Sequence, residues 1–128
     1  MLVDSHCHLD FPAFAHDRDG VVARARAAGV GTMLTIGTRL SAFPGVRAVA
    51  EAYEGIYCSV GIHPHEAEAE PDVQAAQLLA YKDDPKIVAF GETGLDYFYE
   101  HAPRAAQQVN FRAHIEAARI AGLPVIVH

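Results

Sequence analysis

The chain opens with Met1-Leu-Val-Asp-Ser-His-Cys-His-Leu-Asp10, a short apolar run that leads into two imidazoles one residue apart. Side chains alternate between the two faces of an extended strand, so His6 and His8 share one face and Cys7 lies on the other. Two converging neutral imidazoles are half of a divalent-metal site, although histidines with purely structural contacts have the same spacing. Asp4, deeper on the same face, is expected to support the histidines rather than to bind the metal.

Composition limits the class of protein. The chain has 128 residues, of which 51% are hydrophobic and 20% charged, as expected for one soluble globular domain. It contains no apolar segment long enough to span a bilayer and no targeting pattern, so we expect a cytoplasmic protein without membrane contact. The net charge of −6 argues against a protein that coats nucleic acid by electrostatics alone. A nuclease remains compatible, because bound metal ions supply local positive charge.

Strand-like and helix-like segments alternate along the whole chain. Alternation predicts right-handed βαβ units and a parallel sheet, and units of about 30 residues are typical of a TIM barrel. The turn after the first strand lacks the glycine-rich phosphate motif of an open doubly wound sheet, so we expect an α/β protein with an incomplete (β/α)₈ TIM barrel. We predict five parallel strands (2–6, 31–37, 56–63, 86–92 and 123–128) and four helices (18–28, 41–54, 71–84 and 103–122).

Local signals add finer expectations for the core. Ser41 is predicted to cap the second helix, and Pro71 to open the third. Alternation along the fourth strand places Val88, Phe90 and Glu92 on one inward face. The two cysteines fall in strands and are expected to be buried free thiols, Cys7 and Cys58. The inward face of the third helix is predicted to comprise Val73, Ala76, Leu79 and Ala80.

The polar residues that could bind a metal or take part in catalysis lie at the carboxyl ends of the strands. These ends form one face of a parallel barrel, where the active sites of this fold are built. A set of histidines and one carboxylate suits zinc, manganese or iron better than calcium. Glu92 is placed to bridge two metals about 3.5–4 Å apart, although a strand-end carboxylate also pairs with neighbouring backbone groups. The predicted metal ligands are His6, His8, Glu92 and His128.

Further polar residues lie beside this set. His63 and His65 are expected to contact the substrate or to stabilise developing charge, the alternative being polar loop residues. Asp96 is expected either to orient a ligand or to cap its loop. We find no Ser–His–Asp set and no nucleophilic cysteine. The histidines expected to be purely structural are His16, His101 and His114.

Four motifs in this order and spacing resemble the TatD family of metal-dependent hydrolases, which belongs to the amidohydrolase-like TIM barrels. The motifs are Asp4-Ser-His-Cys-His-Leu-Asp10, Val60-Gly-Ile-His-Pro-His65, Gly91-Glu-Thr-Gly-Leu-Asp-Tyr97 and Leu123-Pro-Val-Ile-Val-His128. The resemblance covers the whole chain. It implies a metal-dependent phosphodiesterase, typically a deoxyribonuclease that acts from the 3′ end of DNA.

The resemblance also assigns roles to residues. His6 and His8 match the ligands of one metal, His128 matches a ligand of the second, and Glu92 matches the bridging carboxylate and catalytic residue. One or two divalent ions (Zn, Mg or Mn) are implied as cofactors, and DNA as the partner. The carboxylated lysine that bridges the metals in many other amidohydrolases has no candidate here, because Glu92 stands at its place.

One departure from the family pattern concerns length. Family members have roughly twice as many residues, as a closed barrel requires. They draw a further metal-binding histidine and a late aspartate from strands after the fifth. We therefore expect residues 1–128 to be the N-terminal part of a TatD-type barrel domain, a truncated fragment with weak metal binding and incomplete catalysis. The alternatives are an amide, ester or lactone hydrolase on the same scaffold, and a non-catalytic half barrel that self-associates.

Overall fold

The structure is a computed structural model that describes all residues from Met1 to His128. Five strands form one parallel sheet in the order β1-β2-β3-β4-β5, and four α-helices connect them. The predicted partial TIM barrel is confirmed. The strands are β1 (Leu2–Cys7), β2 (Val30–Thr35), β3 (Ile56–Val60), β4 (Ile87–Thr93) and β5 (Val125–Val127), and the helices are α1 (Arg18–Ala27), α2 (Phe43–Ala52), α3 (Ala75–Leu79) and α4 (Arg104–Ala121).

The sheet is an open half barrel. Each strand pairs only with its neighbours in sequence, so β1 and β5 are edge strands. Leu2, Val3 and Val127 are exposed on these edges. Exposed edge strands are templates for pairing with another chain, and self-association of the half barrel stays a prediction. None of the helices combines the length and hydrophobicity needed to cross a lipid bilayer.

The core lies between the sheet and the helices. It is a single cluster of 17 buried residues, to which α2 contributes Phe43, Val46, Val49 and Ala50. Cys58 is fully buried in this cluster and Cys7 is half-buried, and both are free thiols as predicted. Burial raises the pKa of each thiol to about 12, so neither supplies a thiolate at neutral pH.

The predicted N-terminal ends of two helices are wrong. Ala42, not Ser41, occupies the N-cap position of α2, because the Ser41 backbone N–H and hydroxyl instead bond to the Glu70 carboxylate. Helix α3 begins at Ala75, four residues after Pro71, where the side chains of Gln74 and Gln77 form a capping box. Of the predicted inward face, Val73 is buried and Leu79 is half-buried against the core, as expected, whereas Ala76 and Ala80 are exposed and Leu78 is buried instead.

The predicted alternation along β4 is also wrong. The pairing of β3 with β4 shifts register between Cys58 and Ser59. Phe90 lies in the core cluster with the helices, whereas Val88 lies outside it and is half-buried. A second shift lies between Gly91 and Thr93 in the pairing of β4 with β5, so the face of Glu92 within β4 does not follow from simple alternation with Val88 and Phe90.

Candidate metal centre

The seven predicted site residues meet at the carboxyl edge of the sheet. A cavity of about 370 Å³ opens there. All five strands run parallel, so the segments that follow them reach the same edge. Asp96 lies directly behind the cavity, in contact with His65 and His128. The residues that line the cavity are His6, His8, Phe11, Thr38, His63, His65, Glu66, Glu92 and His128.

Glu92 is the centre of the cluster. Its Oε2 lies 3.2 Å from Nε2 of His6 and 3.9 Å from Nε2 of His8. Its Oε1 lies 3.0 Å from Nδ1 of His128 and 3.6 Å from Nε2 of His63. The carboxylate is buried. One side chain therefore faces two histidine pairs, each through a separate oxygen atom.

Asp96 contacts the far side of the cluster. Its Oδ2 lies 2.7 Å from Nε2 of His65 and 2.9 Å from Nε2 of His128, and its Oδ1 accepts a hydrogen bond of 2.9 Å from the Tyr99 backbone N–H. The bonds from Tyr99 and His65 hold the pKa of Asp96 well below its usual range, against the opposing effect of burial. The sequence left open whether Asp96 orients a ligand or caps its loop, and the structure places it in contact with both the loop and the histidines.

The ring of His128 lies between two carboxylates. Burial lowers the pKa of His128, but its hydrogen bonds with Asp96 and Glu92 outweigh that effect, and the pKa is raised. Nε2 faces Asp96 and Nδ1 faces Glu92. When the Nε2–H group of a neutral ring donates a hydrogen bond to Asp96, the lone pair is on Nδ1 and points toward Glu92.

The pKa of His63 is shifted in the opposite direction to that of His128. Burial, which has the largest effect, together with the neighbouring rings of His128 and His65, lowers its pKa to about 4 against the opposing effect of Glu92. Its Nδ1 accepts the His65 backbone N–H at 3.0 Å. In the neutral ring the proton is then on Nε2, which makes this nitrogen a hydrogen-bond donor to Nδ1 of His128 at 3.1 Å.

The donor set fits divalent metal ions. Three groups each bring one nitrogen or oxygen atom per residue within 4.8 Å of one another. Nδ1 of His8 is buried without a hydrogen-bond partner, and Nε2 of the same ring is too far from Glu92 for a hydrogen bond. A mixed imidazole and carboxylate set suits zinc or manganese. The groups are His6–His8–Glu92, His63–Glu92–His128 and His65–Asp96–His128.

A buried polar stripe on α4 holds the site from behind. The stripe consists of Gln107, Asn110 and His114, which are spaced three and four residues apart on one helix face. The side chain of Gln107 accepts the Asp96 backbone N–H at 2.7 Å and donates to the Asp96 carbonyl at 3.2 Å and to that of Ala102 at 2.9 Å. The loop that carries Asp96 is therefore fixed through its backbone.

The other two members of the stripe fix the neighbouring strand ends. Asn110 Nδ2 donates to the Ile62 carbonyl at 2.8 Å and lies 3.4 Å from the Thr93 hydroxyl. Nε2 of His114 accepts the Ile62 backbone N–H at 3.0 Å. Ile62 precedes His63 in the chain and Thr93 follows Glu92. This stripe was not among the predicted site residues, although polar residues on the inward face of a predicted helix were the signal.

The remaining histidines and Asp4 have different positions. Asp4 accepts the backbone N–H of His6 at 3.1 Å and bonds to no imidazole, so its support acts on the main chain. His16 lies outside the cavity. The ring centre of His101 lies 4.5 Å from that of His65, and its purely structural role stays a prediction.

Known proteins share this sequence and fold. The family model described as TatD related DNase matches residues 3–128. The chain is 42% identical to the "3'-5' ssDNA/RNA exonuclease TatD" of Cronobacter turicensis, over 99% of this chain and 48% of that protein. It is 39% identical to the "Uncharacterized metal-dependent hydrolase YjjV" of Escherichia coli K12, over 98% and 49%. The chain thus spans about half the length of the curated relatives it matches.

Solved structures agree with these matches. The crystal structure of YjjV from Escherichia coli superposes with a TM-score of 0.90 at 37% identity, over 99% of this chain and 50% of that one. A TatD family hydrolase from Entamoeba histolytica has the same fold, with a TM-score of 0.81 at 22% identity, over 99% and 49%. Because the family model spans nearly every residue, the chain belongs to the TatD related DNase family.

Proposed function

We propose that residues 1–128 form the N-terminal part of a TatD-type barrel domain that hydrolyses phosphodiester bonds in single-stranded nucleic acid with the help of one or two divalent ions. The observation that carries this proposal is the position of Glu92. One buried carboxylate lies against His6 through one oxygen and against His128 through the other. This arrangement would offer one carboxylate oxygen and an imidazole to each of two divalent ions, which would stabilise charge on a phosphoryl group.

Each ligand has a place in the proposed site. His6, His8 and Oε2 of Glu92 would hold one ion, and Nδ1 of His128 with Oε1 of Glu92 would hold the second. Such ions stabilise charge on phosphoryl oxygens and lower the pKa of an attacking water. Zinc, manganese and magnesium are the candidates. Asp96 orients the His128 ring by accepting a hydrogen bond from its Nε2–H, as carboxylates do for metal-binding histidines in other proteins.

His63 and His65 are proposed to act on the substrate. Hydrogen bonding at Nδ1 makes Nε2 of His63 a donor, which suits contact with a phosphoryl oxygen better than contact with a cation. Its pKa of about 4 keeps the ring neutral at physiological pH. His65 is held by Asp96 at the entrance of the same cavity. Glu92 contacts both ligand sets and is the proposed catalytic residue.

The proposed substrate class is taken from the name of a similar protein. The Cronobacter turicensis protein is named an exonuclease on single-stranded DNA and RNA, and we propose the same class for this chain. A net charge of −6 gives little general attraction for phosphates, so ions at the site would provide the local positive charge. The cytoplasmic location stays a prediction.

The test is a nuclease assay on the longest natural polypeptide that contains these residues. We expect Mn²⁺ or Mg²⁺ to permit shortening of a 5′-labelled single-stranded DNA from its 3′ end, and EDTA to stop it. Glu92→Gln should abolish the reaction, whereas Glu116→Gln, an exposed carboxylate of α4, should not. Hydrolysis of ester, lactone or amide substrates without cleavage of DNA would contradict the proposal.

A further inference from the structure

An exposed aromatic surface lies on the loop between β4 and α4. It consists of Phe98, Tyr99 and His101, and we call it the aromatic platform. The side chains of Phe98 and Tyr99 are 87% and 64% exposed. Their ring centres are 4.8 Å apart, and the rings of Tyr99 and His101 are nearly parallel, at 3°. Clustered exposed apolar surface beside a cavity is typical of a binding site.

Hydrogen bonds and ring contacts connect the platform to the candidate metal centre. The Tyr99 backbone N–H donates to the Asp96 carboxylate, and Gln107 holds Asp96 through its own backbone groups. The His101 ring lies 4.5 Å and the Tyr99 ring 6.2 Å from the ring of His65, which lines the cavity. The His101 ring of the platform is therefore next to His65 in the cavity wall.

A second aromatic ring lines the cavity beside the first histidine pair. Phe11 stacks on His8, with ring centres 4.5 Å apart and planes at 21°, and it is partly exposed. Aromatic faces are thus available beside both His8 and His65. A phosphate in the cavity would therefore have an aromatic ring on the His8 side and aromatic rings on the His65 side.

Charge on the platform does not favour phosphates. The net charge of the chain is −6, and Arg104, which follows the platform in sequence, is paired with Glu100 at 2.7 Å and lies over the Tyr97 ring. Nucleic acid held here needs a contact that does not depend on positive charge. Stacking of bases on aromatic rings is such a contact, and it accepts every base because every base has a π face.

We propose that the aromatic platform stacks a nucleobase of single-stranded nucleic acid next to the phosphodiester bound in the cavity. This inference rests on the proposed function and adds the group that the platform recognises. Bases inside a duplex have both faces covered by their neighbours, so a stacking surface selects unpaired strands or frayed ends. The platform would therefore supply the preference for single strands that the phosphate site alone lacks.

The test compares two ligands of equal charge. The longest natural polypeptide that contains residues 1–128 is titrated in EDTA with a fluorescent oligothymidylate of about twelve nucleotides and with an abasic strand of the same length. We expect the oligothymidylate to bind about tenfold more tightly, and the ratio to persist at raised salt, because stacking is not ionic. Equal affinities for the two strands would overturn the proposal.

Variants locate the contact. Phe98→Ala combined with Tyr99→Ala should bind the two strands alike, and Phe98→Trp combined with Tyr99→Trp should restore the preference for bases. Ile120→Ala, at an exposed position of α4, is the matched control and should keep the wild-type ratio. A double alanine variant that melts at the wild-type temperature and keeps the preference would overturn the platform. Binding is measured without metal, so a protein that shows the preference but never cleaves DNA contradicts the proposed function alone.

Discussion

Nε2 of His128 lies 2.9 Å from Oδ2 of Asp96, on the opposite side of the ring from Nδ1, which faces Glu92. The Asp96 carboxylate thereby fixes both the tautomer and the orientation of a proposed metal ligand. Because outer carboxylates of this kind raise ligand basicity, we expect Asp96→Asn to lower the affinity for Mn²⁺ about 10- to 100-fold, measured by isothermal titration calorimetry.

The control for this prediction is another aspartate. Asp83 is highly exposed and pairs only with Lys82, so Asp83→Asn removes the same charge away from the site. It should bind Mn²⁺ as the wild type does. Wild-type affinity in Asp96→Asn would show that the contact with His128 does not orient a ligand.

Gln107 is expected to be the member of the α4 stripe with the largest effect on the site loop. Gln107→Leu conserves volume but leaves the Asp96 N–H and two carbonyl groups without partners in a buried region. We expect a loss of about 1–3 kcal/mol in the free energy of unfolding, measured by urea denaturation. The amide of Asp96 should also exchange faster with solvent.

Gln108 provides the comparison for Gln107. It is the next residue on α4, is exposed, and bonds only to the Tyr97 hydroxyl. Gln108→Leu should change stability by less than about 0.5 kcal/mol. If both variants lose the same amount, the stripe does not hold the Asp96 loop in the way the hydrogen bonds indicate.

His114 predicts a pH dependence of stability. Burial lowers its pKa below the ordinary value of 6.5, and its Nε2 must stay unprotonated to accept the Ile62 N–H. Below pH 6.5 the unfolded chain therefore binds a proton that the folded chain does not, and stability falls as the pH falls. One such group contributes at most about 1.4 kcal/mol per pH unit.

A neutral variant isolates this contribution. His114→Gln removes the titrating group, so its free energy of unfolding should fall less steeply between pH 6.5 and lower values than that of the wild type. Urea denaturation at several pH values gives both slopes. Identical slopes would mean that His114 is protonated to the same extent in the folded and unfolded chains.

Metal ions should stabilise the folded chain. A ligand that binds only the folded state at a concentration of 100 times its Kd adds about 2.7 kcal/mol to the free energy of unfolding. We expect Mn²⁺ to raise the melting temperature by several degrees, and EDTA to reverse the rise. Glu92→Gln should melt at the same temperature with and without the ion. A metal-dependent rise in that variant would place the ion elsewhere on the chain.

Much of the fold and of the site could be predicted because hydrophobic periodicity, and the position of a residue at the end of a strand, can be recognised within a single segment. Alternating apolar runs predicted the parallel sheet, and parallel strands bring their carboxyl ends together, so His6, Glu92 and His128 were expected to be neighbours. These residues belong to motifs that are far apart in sequence, and their proximity was predicted without any information on contacts. The assignment of those residues to metals and substrate stays a proposal.

What could not be predicted depended on competition between distant partners. Ser41 fails to cap α2 because Glu70, far along the chain, takes its hydroxyl. The start of α3 depends on the reciprocal bonds of Gln74 and Gln77. Phe90 is placed by a register shift against β3, which alternation within one strand does not reveal. Periodicity describes one segment at a time, and these features belong to pairs of segments.

The most direct test of the account is anomalous X-ray scattering from crystals grown with Mn²⁺ or Zn²⁺. The proposed metal centre predicts a peak within coordination distance of His6, His8 and Oε2 of Glu92, and a second peak between Oε1 of Glu92 and Nδ1 of His128 when both sites fill. Peaks only at other positions, with the Glu92 carboxylate still bonded to the imidazoles, would contradict it.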